Sequence, residues 1–168
     1  MKVKLSFVTN SSSSAFIVAF PERIKFLDDV ENYIHPEEKA EVVFRDAIKQ
    51  KPLRANPKGK RVRQQVFGTL ESGYFSEAPN YSNEIDIFRI NNCITHNETY
   101  SIFYDDFEKS YIKKCHKVLN PTITNFLKKA EGQYIYFFEY GDEDGQFMSE
   151  MEHGNTFRRL KHIMVSKH

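Results

Sequence analysis

Residues 7–20 read FVTNSSSSAFIVAF, and this stretch decides how the beginning of the chain folds. Residues 15–20, AFIVAF, are apolar at every position, which is typical of a central strand that is buried on both faces. Residues 2–9, KVKLSFVT, alternate apolar and polar side chains, which is the period of a half-buried strand. A short serine-rich connection between two such runs predicts a β-hairpin.

The connection consists of Asn10, Ser11, Ser12, Ser13 and Ser14. Asparagine tolerates the left-handed backbone of a turn, and serine hydroxyls hydrogen-bond to nearby main-chain groups. The favoured interpretation is a structural turn whose hydroxyls bond to its own backbone or to the acidic segment near the end of the chain. The alternative is a binding loop whose backbone N–H groups hold an anion.

Further strands are predicted towards the end of the chain. Residues 134–140, YIYFFEY, alternate so that Tyr134, Tyr136, Phe138 and Tyr140 share one face, opposite Ile135 and Phe137. Residues 161–168 and 84–90 also contain strand patterns. If the terminal strands form one sheet, the serine connection and the acidic segment lie at the same edge.

Helices are predicted between these strands. Residues 36–51 place apolar side chains along one helix face after Pro36, and residues 101–119 place aromatic residues in four-residue steps. Residues 121–131 have Asn120 as a candidate N-cap and Gly132 as the end. Residues 60–73 fit either a helix or a strand. The sequence therefore predicts an α+β fold and one domain over residues 1–168. Its mainly antiparallel sheet is built from N- and C-terminal strands, with helices packed chiefly on one side.

The composition of the chain excludes some classes of protein. The chain is 40% hydrophobic and 14% aromatic, so it can bury a sizeable core and is not globally disordered. The two cysteines have no metal-binding or disulfide-framework spacing, which favours a cytoplasmic location. No run of about 18 apolar residues occurs, so no membrane partner is expected.

The sequence contains one strongly basic segment. Residues 49–63 contain seven Lys or Arg residues, and no acid occurs from Gln50 to Leu70. Binding to nucleic acid depends on Lys and Arg that neutralise phosphates, so Lys58, Lys60, Arg61 and Arg63 are candidate contacts. Tyr74 and Phe75 are candidates for base stacking. The alternative is a solvated basic loop or a protein contact.

An acidic segment, residues 139–154, is the second charged block. Asp142, Asp144 and Gly145 resemble part of a calcium loop, but the register puts Tyr140 and Met151 where carboxylates are required. Glu150 and His153 share a helix face at i, i+3. The candidate ligands of a divalent metal are therefore Asp142, Asp144, Glu150 and His153. The alternative is a strand-ending turn followed by a short helix.

No catalytic motif is complete, so no catalytic residue is assigned. The string FVTNSSSSAF resembles the beginning of many uncharacterised phage and bacterial proteins with F-V-[ST]-N-S-S-S-S-[SA]-F followed by an apolar strand. Asp142–Gly145 and Glu152–Gly154 are also similar to segments of some of them. Thr9 and Ala15 depart from the commonest form. The resemblance implies a phage or mobile-element origin.

The expected function is a small non-enzymatic protein that binds a macromolecular partner, most simply a protein, as part of an assembly. It would act in the host cytoplasm or the virion and requires no cofactor. One alternative is a metal-dependent enzyme acting on nucleic acid or nucleotides. The other alternative is a nucleic-acid-binding module that uses residues 49–63.

Overall fold

In the part of the chain that the structure describes, five antiparallel strands form one sheet, and the apolar stretch AFIVAF lies at its centre. The computed structural model describes residues 13–71, 74–75, 117, 119–141, 145–153 and 155–166. The strands are β1 (Ser13–Phe20), β2 (Leu53–Arg54), β3 (Tyr74–Phe75), β4 (Tyr134–Gly141) and β5 (Lys161–Ser166). Their order in the sheet is β2-β4-β1-β5-β3, so both ends of the described chain supply the central strands.

Strand β1 is paired along both of its edges. Ser13 to Phe20 pair with β4, and Ser14 to Ala19 pair with β5. The predicted hairpin, in which residues 15–20 pair with the strand before them, is therefore wrong. Ser13 and Ser14 are the first residues of β1 and do not form a turn. Asn10, Ser11, Ser12 and the predicted strand 2–9 lie outside the described residues.

The described helices are α1 (Asp28–Glu31), α2 (Glu37–Ala47), α3 (Lys60–Glu71), α4 (119–129) and α5 (Gln146–His153). Helix α2 lies within the predicted residues 36–51, but Pro36 is its N-cap and not its first helical residue. Helix α3 resolves the ambiguity over residues 60–73. Gly132 has a φ of 81° and follows α4, as expected for a residue that ends a helix. Asn120 is already helical, so it does not cap α4.

Helices cover both faces of the sheet, because successive residues of β1 are apolar and point in opposite directions. On the first face, Ala15, Ile17 and Ala19 contribute to a core that is completed by α3 and α4. On the second face, Phe16, Val18 and Phe20 contribute to a core that includes residues of α1, α2 and α5. The α+β class and the antiparallel sheet are confirmed, but the expectation that helices pack chiefly on one side is wrong.

The second face is built on stacked aromatic rings. The rings of Tyr136, Phe138 and Tyr140 lie on one side of β4, with centroids 6.3 and 6.2 Å apart along the strand. Phe157 packs against Phe138 at 5.2 Å and against Phe16 at 5.1 Å. The face predicted from YIYFFEY is therefore confirmed, although Phe137 on the opposite side is only half-buried.

Two of these tyrosines differ in how their hydroxyls are satisfied. The Tyr136 hydroxyl accepts a hydrogen bond from the Ile24 backbone N–H at 2.9 Å. The Tyr140 hydroxyl is buried and has no hydrogen-bond partner in the part of the chain that the structure describes. Burial and the nearby Asp46 carboxylate raise the pKa of Tyr140 well above its ordinary value.

Tyr140→Phe is expected to leave the free energy of unfolding at pH 7 unchanged or to raise it by up to about 1 kcal/mol, because no hydrogen bond is lost. Tyr136→Phe, the matched control, should lower it by about 1–3 kcal/mol because Ile24 N–H loses its acceptor. Above a pH of about 10, tyrosine ionises first in the unfolded chain, so stability falls as pH rises. Tyr140→Phe should therefore move the alkaline unfolding midpoint upwards. Equal losses of unfolding free energy at pH 7 in both variants would contradict the different roles of the two hydroxyls.

Among the described residues, no helix has the length and the apolar character that a membrane crossing requires.

Candidate functional site

A buried carboxylate connects the beginning of β1 to α5. Ser14 Oγ donates a hydrogen bond of 3.0 Å to Glu152 Oε1, and both residues are only 2% exposed. His153 Nε2 lies 3.3 Å from Glu152 Oε2, and the His153 side chain is 59% exposed. These three residues are named the Ser14–Glu152–His153 cluster below.

Local structure holds α5 in place beside β4. Gly145 has a φ of 103°, which favours glycine, and its carbonyl accepts from the backbone N–H groups of Met148 and Ser149. At the other end, Thr156 Oγ1 donates to the Met151 carbonyl at 3.0 Å. Met148 and Met151 pack in the second core, and Glu152, which follows Met148 by one helical turn, is buried as well.

The cluster does not have the order of a nucleophilic triad. In such a triad a histidine lies between the serine and the carboxylate, so that it can take the serine proton. Here the carboxylate lies between Ser14 and His153, and Ser14 is inaccessible to a substrate. The arrangement instead gives a buried carboxylate a hydrogen-bond donor, as buried charges require. The hypothesis that a serine hydroxyl bonds to the acidic segment is thereby confirmed for Ser14.

The neighbouring serine makes a weaker contact. Ser13 Oγ lies 3.4 Å from Glu139 Oε1 at an exposed position. The first two residues of β1 therefore bond to two different carboxylates, of which only Glu152 is buried. Asn10, Ser11 and Ser12 lie outside the described residues, so the anion-binding alternative stays a prediction for them.

The candidate metal ligands are described only in part. Glu150 and His153 are both exposed on α5, while Asp142 and Asp144 lie outside the described residues. In the described ranges, no group of three or more His, Cys, Asp or Glu side chains could hold a metal ion. A metal site that uses Asp142 and Asp144 stays a prediction.

The basic segment forms a tight turn and the first turns of α3. The Lys58 N–H donates to Asn56 Oδ1 at 2.9 Å, and the Gly59 N–H donates to the Asn56 carbonyl at 2.9 Å. A Cβ at Gly59 would lie 2.9 Å from Val62 Cγ1, so only glycine fits there without a shift. As a result, Lys58, Lys60 and Arg61 are all exposed where α3 begins.

The two other arginines of this segment bond within the protein. Arg63 Nη1 donates to the Pro57 carbonyl at 2.8 Å and to Thr124 Oγ1 at 2.9 Å, and Nη2 donates to Asn120 Oδ1 at 3.2 Å. Arg63 was predicted as a phosphate contact, but these bonds hold its guanidinium between the turn and α4. Arg54 donates to the Gly132 carbonyl and lies 5.3 Å from the centroid of the Tyr134 ring.

The two helical layers differ in charge. Residues 49–70, which lead into and form most of α3, carry seven basic residues and no acid. Residues 21–47, which include α1 and α2 on the other face, carry eight acids and four basic residues. Partial burial and the neighbouring carboxylates of Glu37 and Asp28 raise the pKa of Glu31. Among the described residues, one helical layer is therefore basic and the other acidic, although the net charge of the chain is only +1.

Comparison with known proteins finds no match, whether with a family model, a curated protein or a solved structure.

Proposed function

We propose that the protein binds a macromolecular partner and that this partner is nucleic acid, contacted through its phosphates. The contacting groups are Lys58, Lys60 and Arg61, named the basic surface below. Lys128 and Lys129 are exposed on α4, which covers the same face of the sheet, and they add charge of the same sign.

The observation that supports this proposal is the placement of opposite charges on opposite faces of one sheet. Summed charge on one side creates a local potential even when the net charge is close to zero. A phosphate backbone approaching the basic surface meets no acid between positions 47 and 70. The acidic residues of α1 and α2 repel the same backbone from the other face, so the nucleic acid binds in one orientation.

Contacts of this kind position a nucleic acid but do not identify its bases. The proposed binding is therefore independent of sequence, and its strength depends on the salt concentration because phosphate counterions are released. The resemblance of the N-terminal string to phage and bacterial proteins supports a phage or mobile-element origin. A non-enzymatic role in the host cytoplasm or in the virion belongs to the same proposal.

Simultaneous replacement of Lys58, Lys60 and Arg61 by glutamine is expected to weaken binding of labelled duplex DNA. Each lost phosphate contact should remove about 0.9 from the slope of log K against log salt concentration. The measurement is fluorescence anisotropy over a series of salt concentrations, repeated with single-stranded DNA and with RNA duplexes.

The matched control replaces Arg23, Arg158 and Arg159 by glutamine. These residues are exposed and lie beside Ile24, Phe157 and Leu160, which belong to the second core. The control removes the same charge from the opposite side, so its salt slope should stay close to that of the unmodified protein. Failure to bind any of these nucleic acids at low salt would overturn the proposal, as would equal losses in the two triple variants.

A further inference from the structure

The outer edge of β4 is closed by a side chain as well as by a strand. Strand β4 pairs with β1 along its whole length, whereas on its other edge, among the residues that the structure describes, β2 pairs only Leu53 with Ile135 and Arg54 with Tyr134. The next residue of β4 whose backbone faces this edge is Phe137. The Gln50 side chain donates from Nε2 to the Phe137 carbonyl at 2.6 Å, and Oε1 accepts from the Phe137 N–H at 2.9 Å.

These two bonds are the pair that opposite residues exchange in an antiparallel sheet. The Gln50 amide therefore takes the place of one residue of a neighbouring strand. Its position is fixed by the end of α2, because the Gln50 N–H donates to the Ala47 carbonyl and Nε2 also lies 3.3 Å from the Asp46 carbonyl.

The residues around Gln50 share the features of protected sheet edges. Lys49 and Lys51 are exposed on either side of it, Pro52 has no N–H to offer, and β2 is only two residues long. Natural proteins use lysines, prolines and very short edge strands to prevent pairing between the sheets of two molecules. Residues 49–54 therefore combine three such devices with a side chain that covers the next backbone position.

We propose that residues 49–54 are an edge cap that prevents β4 from pairing with β4 of a second copy, and that Gln50 is the residue on which the cap depends. An antiparallel strand pair between two copies would be symmetric, since each β4 would offer the same edge to the other. The inference is independent of nucleic-acid binding, because Gln50 is not part of the basic surface.

Gln50→Met tests the proposal, because methionine keeps the length of the side chain and removes both hydrogen bonds. Hydrogen exchange of the Phe137 amide, measured by NMR, should become about tenfold faster or more. Sedimentation velocity should show a dimer whose fraction rises with protein concentration. Gln64→Met is the matched control, since Gln64 is an exposed glutamine on α3, and it should change neither result.

Gln50→Glu is a second variant that keeps an acceptor for the Phe137 N–H and loses the donor to the Phe137 carbonyl. It should give a smaller increase in exchange than methionine and should repel the edge of a second copy. Unchanged Phe137 exchange in Gln50→Met would overturn the assigned hydrogen bonds. Faster exchange without any dimer at high concentration would overturn the edge cap.

Discussion

Ser14→Ala is expected to lower the free energy of unfolding by about 1.5–3 kcal/mol, the range for a hydrogen bond to a charged group. The variant removes the hydroxyl that donates to Glu152 Oε1 at 3.0 Å, and the carboxylate stays buried at 2% exposure. Water cannot replace the lost donor without opening the contact between β1 and α5. Urea unfolding followed by circular dichroism measures the change.

Ser13→Ala is the matched control for this prediction. It removes the same group from the preceding residue, but Ser13 Oγ lies 3.4 Å from Glu139 at an exposed position, so the expected loss is below about 0.5 kcal/mol. A double-mutant cycle of Ser14→Ala with Glu152→Gln should give a coupling energy above about 0.5 kcal/mol. Equal losses for the two serines, or independent effects in the cycle, would show that the buried bond does not stabilise the fold.

The sequence allowed a contact between the serines and the acidic segment to be predicted, but not the carboxylate that makes it. Successive helix residues point about 100° apart, so Glu150 and Glu152 face different directions, and packing decides which one turns inwards. Met148 and Met151 mark the inner face of α5, and Glu152 follows Met148 by four residues. That spacing is the signal in the sequence for an inward-facing Glu152.

The position of β1 could be predicted for a clear physical reason. AFIVAF is apolar at both alternating sets of positions, and a strand of this kind is stable only when both of its faces are covered. The same argument requires helices on both faces, as the structure shows. Helix α3 covers the first face. The sequence pattern of residues 60–73 fits either a helix or a strand, although Val62, Val66 and Leu70 follow one another at four-residue spacing along a helix face.

The basic character of residues 49–63 was predictable from the sequence, whereas the direction in which each charged side chain points was not. Lys60, Arg61 and Arg63 lie within one turn of α3, yet only Arg63 is directed towards α4. A long side chain can turn its charged end to solvent or to a neighbouring helix, and the acceptors decide between these directions. Here one acceptor, the Pro57 carbonyl, is 6 residues from Arg63 in the sequence, but Asn120 and Thr124 are 57 and 61 residues away on α4.

Arg63→Lys is expected to lower the free energy of unfolding by about 2–4 kcal/mol, because a single ammonium group cannot reach three acceptors in different directions. The variant keeps the positive charge and removes the planar fork that holds the 56–59 turn and α3 against α4. Arg61→Lys is the matched control on the adjacent, exposed residue and should change stability by less than about 0.5 kcal/mol. Thermal and urea unfolding of both variants measure the difference.

Measurements of nucleic-acid binding distinguish a structural role of Arg63 from a direct contact between Arg63 and phosphate. If the Arg63 guanidinium bonds only within the protein, Arg63→Lys should bind nucleic acid with the same salt slope as the unmodified protein. The slope is measured under conditions in which the variant is folded. Arg63→Gln should then lose stability to a similar extent, and its slope should fall by less than the value of about 0.9 that one lost phosphate contact removes. A fully stable Arg63→Gln variant whose slope falls by that whole value would place Arg63 on the phosphate instead. The basic surface would then extend from Lys58 through Arg63, as the sequence alone predicts.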